Sequence, residues 1–130
     1  MNYELIKFKD GEFELDVNVS PNEDTVWLTQ QQIATLFEKS KSTISEHINN
    51  ALLDGEIDKT DFGISELSVN KKKYTLYNLN VIISVGYRVH SNRGIMFRKW
   101  ATKVLKEYMV NGFSVNVPYI EICEYIFLST

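Results

Sequence analysis

The sequence TQQQIATLFEKSKSTISEHIN, residues 29–49, has the pattern of two short helices joined by a tight turn. Thr29 and Gln32 have the spacing of a capping box, in which two side chains satisfy free backbone N–H groups, so a helix is predicted to begin there. Ile44 and Ile48 lie four positions apart on one face of the second helix, facing the apolar residues of the first. This layout predicts a helix-turn-helix, whose second helix enters the DNA major groove.

The predicted turn departs from the usual pattern at two positions. Ala34 is small enough to let the second helix cross closely, but four residues later this chain has Glu38 where glycine is common. Lys39 then stands where an apolar residue is common. A left-handed backbone is costly for a residue with a Cβ, so we expect a different turn geometry here. The alternative is a structural helical hairpin with a solvated polar face.

Several polar side chains of the second helix, Glu46 among them, are predicted to face outward, and six of them are the first candidates for DNA contact. They are Ser40, Lys41, Ser42, Thr43, Ser45 and Asn49.

The net charge of −3 conceals a division along the chain. Residues 1–65 carry 5 basic and 13 acidic side chains, whereas residues 66–130 carry 9 basic and 4 acidic ones. All nine basic residues of the second half lie within 71–106, which contains no acidic residue. This asymmetry favours an anionic partner for the second half. The alternative is that the basic half docks on the acidic half, within the chain or across a dimer.

The segments around the predicted helix pair favour strands before it and a basic hairpin after it. Residues 12–19 alternate apolar and acidic or polar side chains with the period of a half-buried strand, and 25–28 can return as its hairpin partner. We interpret this acidic hairpin as scaffold. Residues 64–69 and 73–77 predict a second hairpin with a basic tip, which has the shape of a wing that contacts phosphates.

The sequence from Asn78 onward predicts two helices. Asn78 can cap a helix that runs from Leu79 to about Val89, although the same residues also suit a buried strand. After a connection over 90–94, apolar residues from Phe97 onward form one broad helical stripe, and lysines occupy the opposite face. The candidate DNA contacts of this half are Lys71, Lys72, Lys73, Arg93, Lys99, Lys103 and Lys106. The aromatic side chains of the stripe are expected in the core rather than as base-stacking platforms.

Composition and missing motifs exclude several classes of function. The 44% apolar content indicates a folded protein, and no apolar run is long enough for a membrane span. A single cysteine, Cys123, and the absence of a signal-peptide pattern favour the cytoplasm. His47 and His90 lack metal-ligand spacing, and the scattered glycines form no phosphate loop. We therefore expect no enzymatic activity, no metal, no cofactor and no small-molecule substrate.

Three blocks resemble the RhuM family of bacterial virulence-associated proteins: TVWLTQQQIATLF at 25–37, ISEHINNALLDGEI at 44–57, and YNLNVIISVGYRVHSNRGIMFRKWATKVLKEY at 77–108. The last block is also similar to the Bro/KilA-type N-terminal domains of phage regulators. The resemblance extends over about residues 10–113. It implies DNA-binding or regulatory proteins that continue beyond this region, and NVPYIEICEYIFLST at 116–130 departs from it as a remnant, a truncated end or a short element of its own.

These observations predict an α+β protein, with a winged helix-turn-helix-like unit followed by a helical Bro-N-like unit. Residues 1–65 are expected to hold the strand hairpin and helix pair, 66–114 the basic hairpin and two helices, and 115–130 a divergent apolar tail. The predicted function is non-enzymatic binding of double-stranded DNA in transcriptional or phage-like regulation, by a possible homodimer. The alternative is a protein-interaction module, an antirepressor or adaptor, that does not touch DNA.

Overall fold

The structure is a computed structural model and describes residues 4–66 and 73–111. Within those residues it contains five strands and four α-helices. In chain order they are β1 (Glu4–Asp10), β2 (Phe13–Ser20), β3 (Thr25–Thr29), α1 (Gln30–Phe37), α2 (Lys41–Leu53), β4 (Phe62–Glu66), β5 (Lys73–Tyr77), α3 (Leu79–Arg88) and α4 (Asn92–Asn111). The chain is therefore of the predicted α+β class.

The strands form one antiparallel sheet in the order β1-β2-β3-β5-β4. The predicted alternation in β2 is confirmed, since Val17 and Val19 are fully buried while Glu14 and Asp16 are exposed. β1 turns into β2 through Gly11, whose φ of 63° suits a residue without a Cβ. Long-range pairing of β3 with β5 joins the first three strands and the β4–β5 pair into a single sheet.

Of the three lysines predicted at the basic tip, Lys73 begins β5, and Lys71 and Lys72 lie outside the described residues. The two strands that flank them in sequence are present, and β4 and β5 pair along their whole length from Phe62 opposite Tyr77 to Glu66 opposite Lys73.

The helix pair forms as predicted, but the turn between its helices does not have the expected geometry. Thr29 and Gln32 make the full capping box at the start of α1. Glu38 adopts the left-handed conformation, with φ 55°, that we expected the chain to avoid. In this conformation the N–H of Lys39 donates to the carbonyl of Ala34 at 2.9 Å and that of Glu38 to Thr35 at 3.3 Å. Two carbonyls at the end of α1 are thus satisfied, which offsets the strain at Glu38.

The second half contains the two predicted helices, with one boundary moved. Asn78 accepts a hydrogen bond from the N–H of Val81 and caps α3, so the strand alternative is wrong. The connection predicted over 90–94 is shorter, because α4 begins at Asn92. Ser91 Oγ accepts a hydrogen bond from the N–H of Gly94 and stabilises this earlier start.

One hydrophobic cluster joins the sheet to all four helices. The predicted stripe of α4 supplies Phe97 and Ala101, both fully buried. The ring of Phe8 on β1 lies 5.2 Å from that of Phe97 and 5.4 Å from that of Trp100, in edge-to-face arrangements that add to the burial of apolar surface. The core thereby fixes α4 on the sheet with its opposite face outward.

Candidate nucleic-acid interface

The N-terminus of α2 presents a cluster of hydroxyl groups. Ser40 caps the helix, its Oγ accepting from the N–H of Thr43 at 3.1 Å. The same Oγ donates to Thr43 Oγ1 at 2.9 Å and lies 3.1 Å from Ser42 Oγ. Since Ser40, Lys41 and Ser42 are exposed, the structure brings the first predicted contact residues together at the end of a helix whose dipole favours anions.

The two helices are tied at both the core and the surface. Ile44 and Ile48 of α2 are buried, as predicted. At the surface, the Gln30 side-chain amide donates to the backbone carbonyl of Lys41 at 2.7 Å, joining the first turn of α1 to the first turn of α2. The outward face of α2 is therefore held in a fixed orientation, with Asn49 exposed and Ser45 half-buried.

The C-terminal end of α2 is clasped to α3 by Arg88. Its Nη2 donates to Asp54 at 2.6 Å and to Glu56 at 2.9 Å, and Ser84 donates to Glu56 at 2.6 Å. The hydrogen bonds from Ser84 and Arg88 lower the pKa of Glu56, and those to Asp54 and Glu56 raise the pKa of Arg88. Gly55, with φ 76°, allows the sharp turn that brings the two carboxylates to this arginine.

Arg93, a predicted DNA contact, is turned inward instead. Its Nε donates to Asp10 at 3.1 Å, its Nη1 donates to the carbonyl of Leu36 at 3.1 Å, and its guanidinium carbon lies 4.0 Å from the ring centre of Phe13. Its side chain is 20% exposed. Pairing of the basic half with the acidic half, the alternative raised by the sequence, thus holds for Arg88 and Arg93.

The cations on the exposed face of α4 differ from Arg88 and Arg93, which are paired with carboxylates. Four cations lie along it at helical spacing, and none of them has an ion pair or hydrogen bond within residues 4–66 and 73–111. They are Arg98, Lys99, Lys103 and Lys106. We name this set the α4 basic face. It contains three predicted contact residues, Lys99, Lys103 and Lys106, together with Arg98.

The remaining described member of the predicted set, Lys73, is exposed at the first position of β5. It sits where the predicted wing leaves the sheet, paired in register with Glu66.

Sequence reasoning missed a cleft between α3 and α4. It measures about 460 Å³ and is lined on α3 by Gly86 and Tyr87 and on α4 by Ile95 and Arg98. Tyr87 is 81% exposed. Its position could have been found from the helical period, because the buried residues Val81 and Val85 place it on the other side of α3.

The fold and the surface together define the class of this protein. It is an α+β protein in which a capped helix pair packs on an antiparallel sheet, beside a helix whose basic face has no ion pair among the described residues. The chain belongs to the virulence protein RhuM family, whose sequence model matches residues 59–123. No curated protein and no solved structure matches it. The family match covers the β4–β5 hairpin, α3 and α4, and it includes 115–123 of the segment that was expected to diverge.

Two further findings apply to the described part of the chain. None of its helices is both long and apolar enough to cross a membrane. Between residues 4 and 111, apart from the gap at 67–72, no group of His, Cys, Asp or Glu side chains is arranged to hold a metal ion.

Proposed function

We propose that this protein is a non-enzymatic regulator that binds double-stranded DNA. The α4 basic face is the observation that carries the proposal. Arginine and lysine side chains that form no ion pair among the described residues attract phosphates, and successive turns of a helix place them along a DNA backbone. By contrast, Arg88 and Arg93 are neutralised by carboxylates and contribute little to the positive potential at the protein surface.

We infer a winged helix-turn-helix arrangement from the order of the elements, and this inference favours the same function. β3 leads directly into α1, α2 follows through a tight turn, and the β4–β5 hairpin returns to pair with β3. The hairpin is therefore anchored to the strand that positions the helix pair. In this arrangement α2 is the reading helix and the hairpin is the wing, with Lys73 at its base and Lys71 and Lys72 in its predicted tip.

On α2, the hydroxyl cluster and Asn49 provide hydrogen-bonding groups for phosphates and base edges. Exposed Glu46 restricts the ways in which α2 can dock on DNA, because its carboxylate would accept a hydrogen bond from cytosine N4 or repel a phosphate. One such helix reads few base pairs, so the proposal includes a homodimer on paired half-sites, acting in the cytoplasm.

The test is fluorescence anisotropy of a labelled mixed-sequence duplex across a salt series. We expect log Kd to change linearly with log salt, with a slope of about 0.9 for each phosphate contacted. Changing Lys99, Lys103 and Lys106 together to Glu should abolish retention of the duplex while circular dichroism retains the helical signal.

A matched pair of double variants separates position from net charge. Lys99→Glu with Lys103→Glu alters the α4 basic face, whereas Lys9→Glu with Lys59→Glu makes the same change of charge at exposed lysines elsewhere. Only the first pair should reduce the salt slope. Absence of duplex binding by the wild type at low salt would contradict the proposal and favour a protein-interaction module.

A further inference from the structure

The cleft between α3 and α4 opens at the N-terminal end of the α4 basic face. The two helices come close here because both carry glycine at the contact: a Cβ at Gly86 would lie 3.4 Å from the Cα of Gly94 and 3.0 Å from the Phe37 ring. Arg98 belongs both to the lining of the cleft and to the basic face. A strand of nucleic acid that follows α4 would therefore arrive at this cleft.

The lining has the composition of a site for a planar, polar group. Tyr87 offers an exposed ring at the edge, Ile83 and Ile95 offer apolar walls, and His90 and Asn92 offer donors and acceptors. Among residues 4–66 and 73–111, no acidic side chain lines the cleft. Its volume of about 460 Å³ lies in the usual range of small-molecule sites.

We propose that this cleft receives an unpaired nucleobase of DNA whose backbone runs along the α4 basic face. The inference rests on the proposed DNA binding and names the form of DNA preferred at this surface. Charge complementarity identifies the occupant, because cations without acidic partners among the described residues lead to an exposed aromatic ring. Aromatic side chains next to a basic groove stack on bases of single strands. An unpaired base is favoured over a paired one, because a paired base must first break its pairing and stacking in the duplex.

The experiment compares a short duplex with the same duplex carrying one bulged 2-aminopurine. We expect the bulged duplex to bind at least about fivefold more tightly, the scale of one base–aromatic stack. The fluorescence of 2-aminopurine should fall on binding as the base stacks on Tyr87. Tyr87→Ala should remove both effects and leave affinity for the perfect duplex unchanged, whereas Tyr87→Phe, which keeps the ring, should retain both.

Leu5→Ala is the control for loss of an exposed apolar side chain, since Leu5 is 64% exposed on β1 and does not line the cleft. It should behave as the wild type. Equal affinity for both duplexes, unchanged by Tyr87→Ala, would overturn the base-binding inference while leaving DNA binding intact. Failure to bind either duplex would contradict both the base-binding inference and the proposed DNA binding. A change of sedimentation coefficient in Tyr87→Ala without a change in DNA preference would assign this face to a protein contact and overturn the inference as well.

Discussion

Arg93 of α4 donates a hydrogen bond through Nε to Asp10, the last residue of β1, at 3.1 Å across eighty-three positions of sequence. The same guanidinium donates to the carbonyl of Leu36 at the end of α1 and lies over the ring of Phe13. A single side chain thus joins α4 to the first hairpin and to the helix pair. These contacts hold the N-terminal part of α4 against the first hairpin and the end of α1.

Arg93→Ala should therefore lower stability without weakening duplex binding by the folded protein. Loss of hydrogen bonds from a charged donor is expected to reduce the free energy of unfolding by about 1.5–3 kcal/mol. Urea denaturation measures this, and anisotropy measures binding. Arg98→Ala is the matched control, with a change in stability within about 0.5 kcal/mol and weaker DNA binding. Equal stability of the two variants would assign Arg93 no structural role.

The left-handed backbone at Glu38 predicts a stabilising substitution. Glu38→Gly should raise the free energy of unfolding by up to about 1 kcal/mol. The left-handed conformation costs a residue with a Cβ about 1–2 kcal/mol, and glycine avoids this cost. Part of the gain is lost because glycine makes the unfolded chain more flexible. The contact of Glu38 with Arg93 at 3.8 Å is exposed and costs little to lose. Lys39→Gly, whose φ is not positive, should instead lower the thermal midpoint. A lower thermal midpoint for Glu38→Gly would contradict the inference that the backbone at Glu38 is strained.

Local patterns predicted the helices and the α+β class. The capping box at Thr29 and the stripe that begins at Phe97 depend on spacings of three and four residues, which a sequence displays directly. The pairing of β3 with β5 depends on residues such as Leu28 and Tyr77, far apart in sequence, and no local period encodes it. The turn at Glu38 was missed because two backbone hydrogen bonds outweigh a residue preference.

The candidate site divides in the same way. The outward direction of Lys99 and Lys103 follows from the helical period, so it could be predicted. The loss of Arg93 from the surface could not, since its partner Asp10 lies in another part of the chain. Tyr87 was overlooked because the run of apolar residues around it suits a strand as well as a helix, and only a helix places the ring outside.

Asp61 predicts a dependence of stability on pH. Burial by itself raises the pKa of its carboxyl, but hydrogen bonds from the side chain of Asn78, the backbone N–H of Asp58 and the side chain of Asn80 more than offset this, so the pKa lies below its ordinary value. The unfolded state then binds a proton more readily than the folded state. The contribution is complete above the unfolded pKa of about 3.9 and is lost as pH falls through the lower, folded value.

Asp61→Asn should consequently flatten the fall in unfolding free energy on acidification below about pH 5. Urea denaturation at a series of pH values measures the slope. Asp24→Asn removes an exposed carboxylate and leaves the hydrogen bonds of Asp61 in place, so it should reproduce the wild-type profile. An unaltered profile in Asp61→Asn would show that these bonds are not coupled to folding.

If α2 reads bases, Lys41→Ala with Ser42→Ala should reduce discrimination between sequences more than total affinity. The two side chains are exposed at the start of α2, and replacing them preserves the cap, which depends on Ser40. Each lost base contact should cost about 1–3 kcal/mol on a selected site, whereas binding to mixed-sequence duplex should change little because the α4 basic face remains.

The measurement is competition between a duplex selected by the wild type from a random library and mixed-sequence DNA. Gln31→Ala with Thr35→Ala alters two exposed positions on α1 and should retain the wild-type preference. Should the α2 variant keep that preference as well, the element that reads sequence lies elsewhere and α2 does not contact bases.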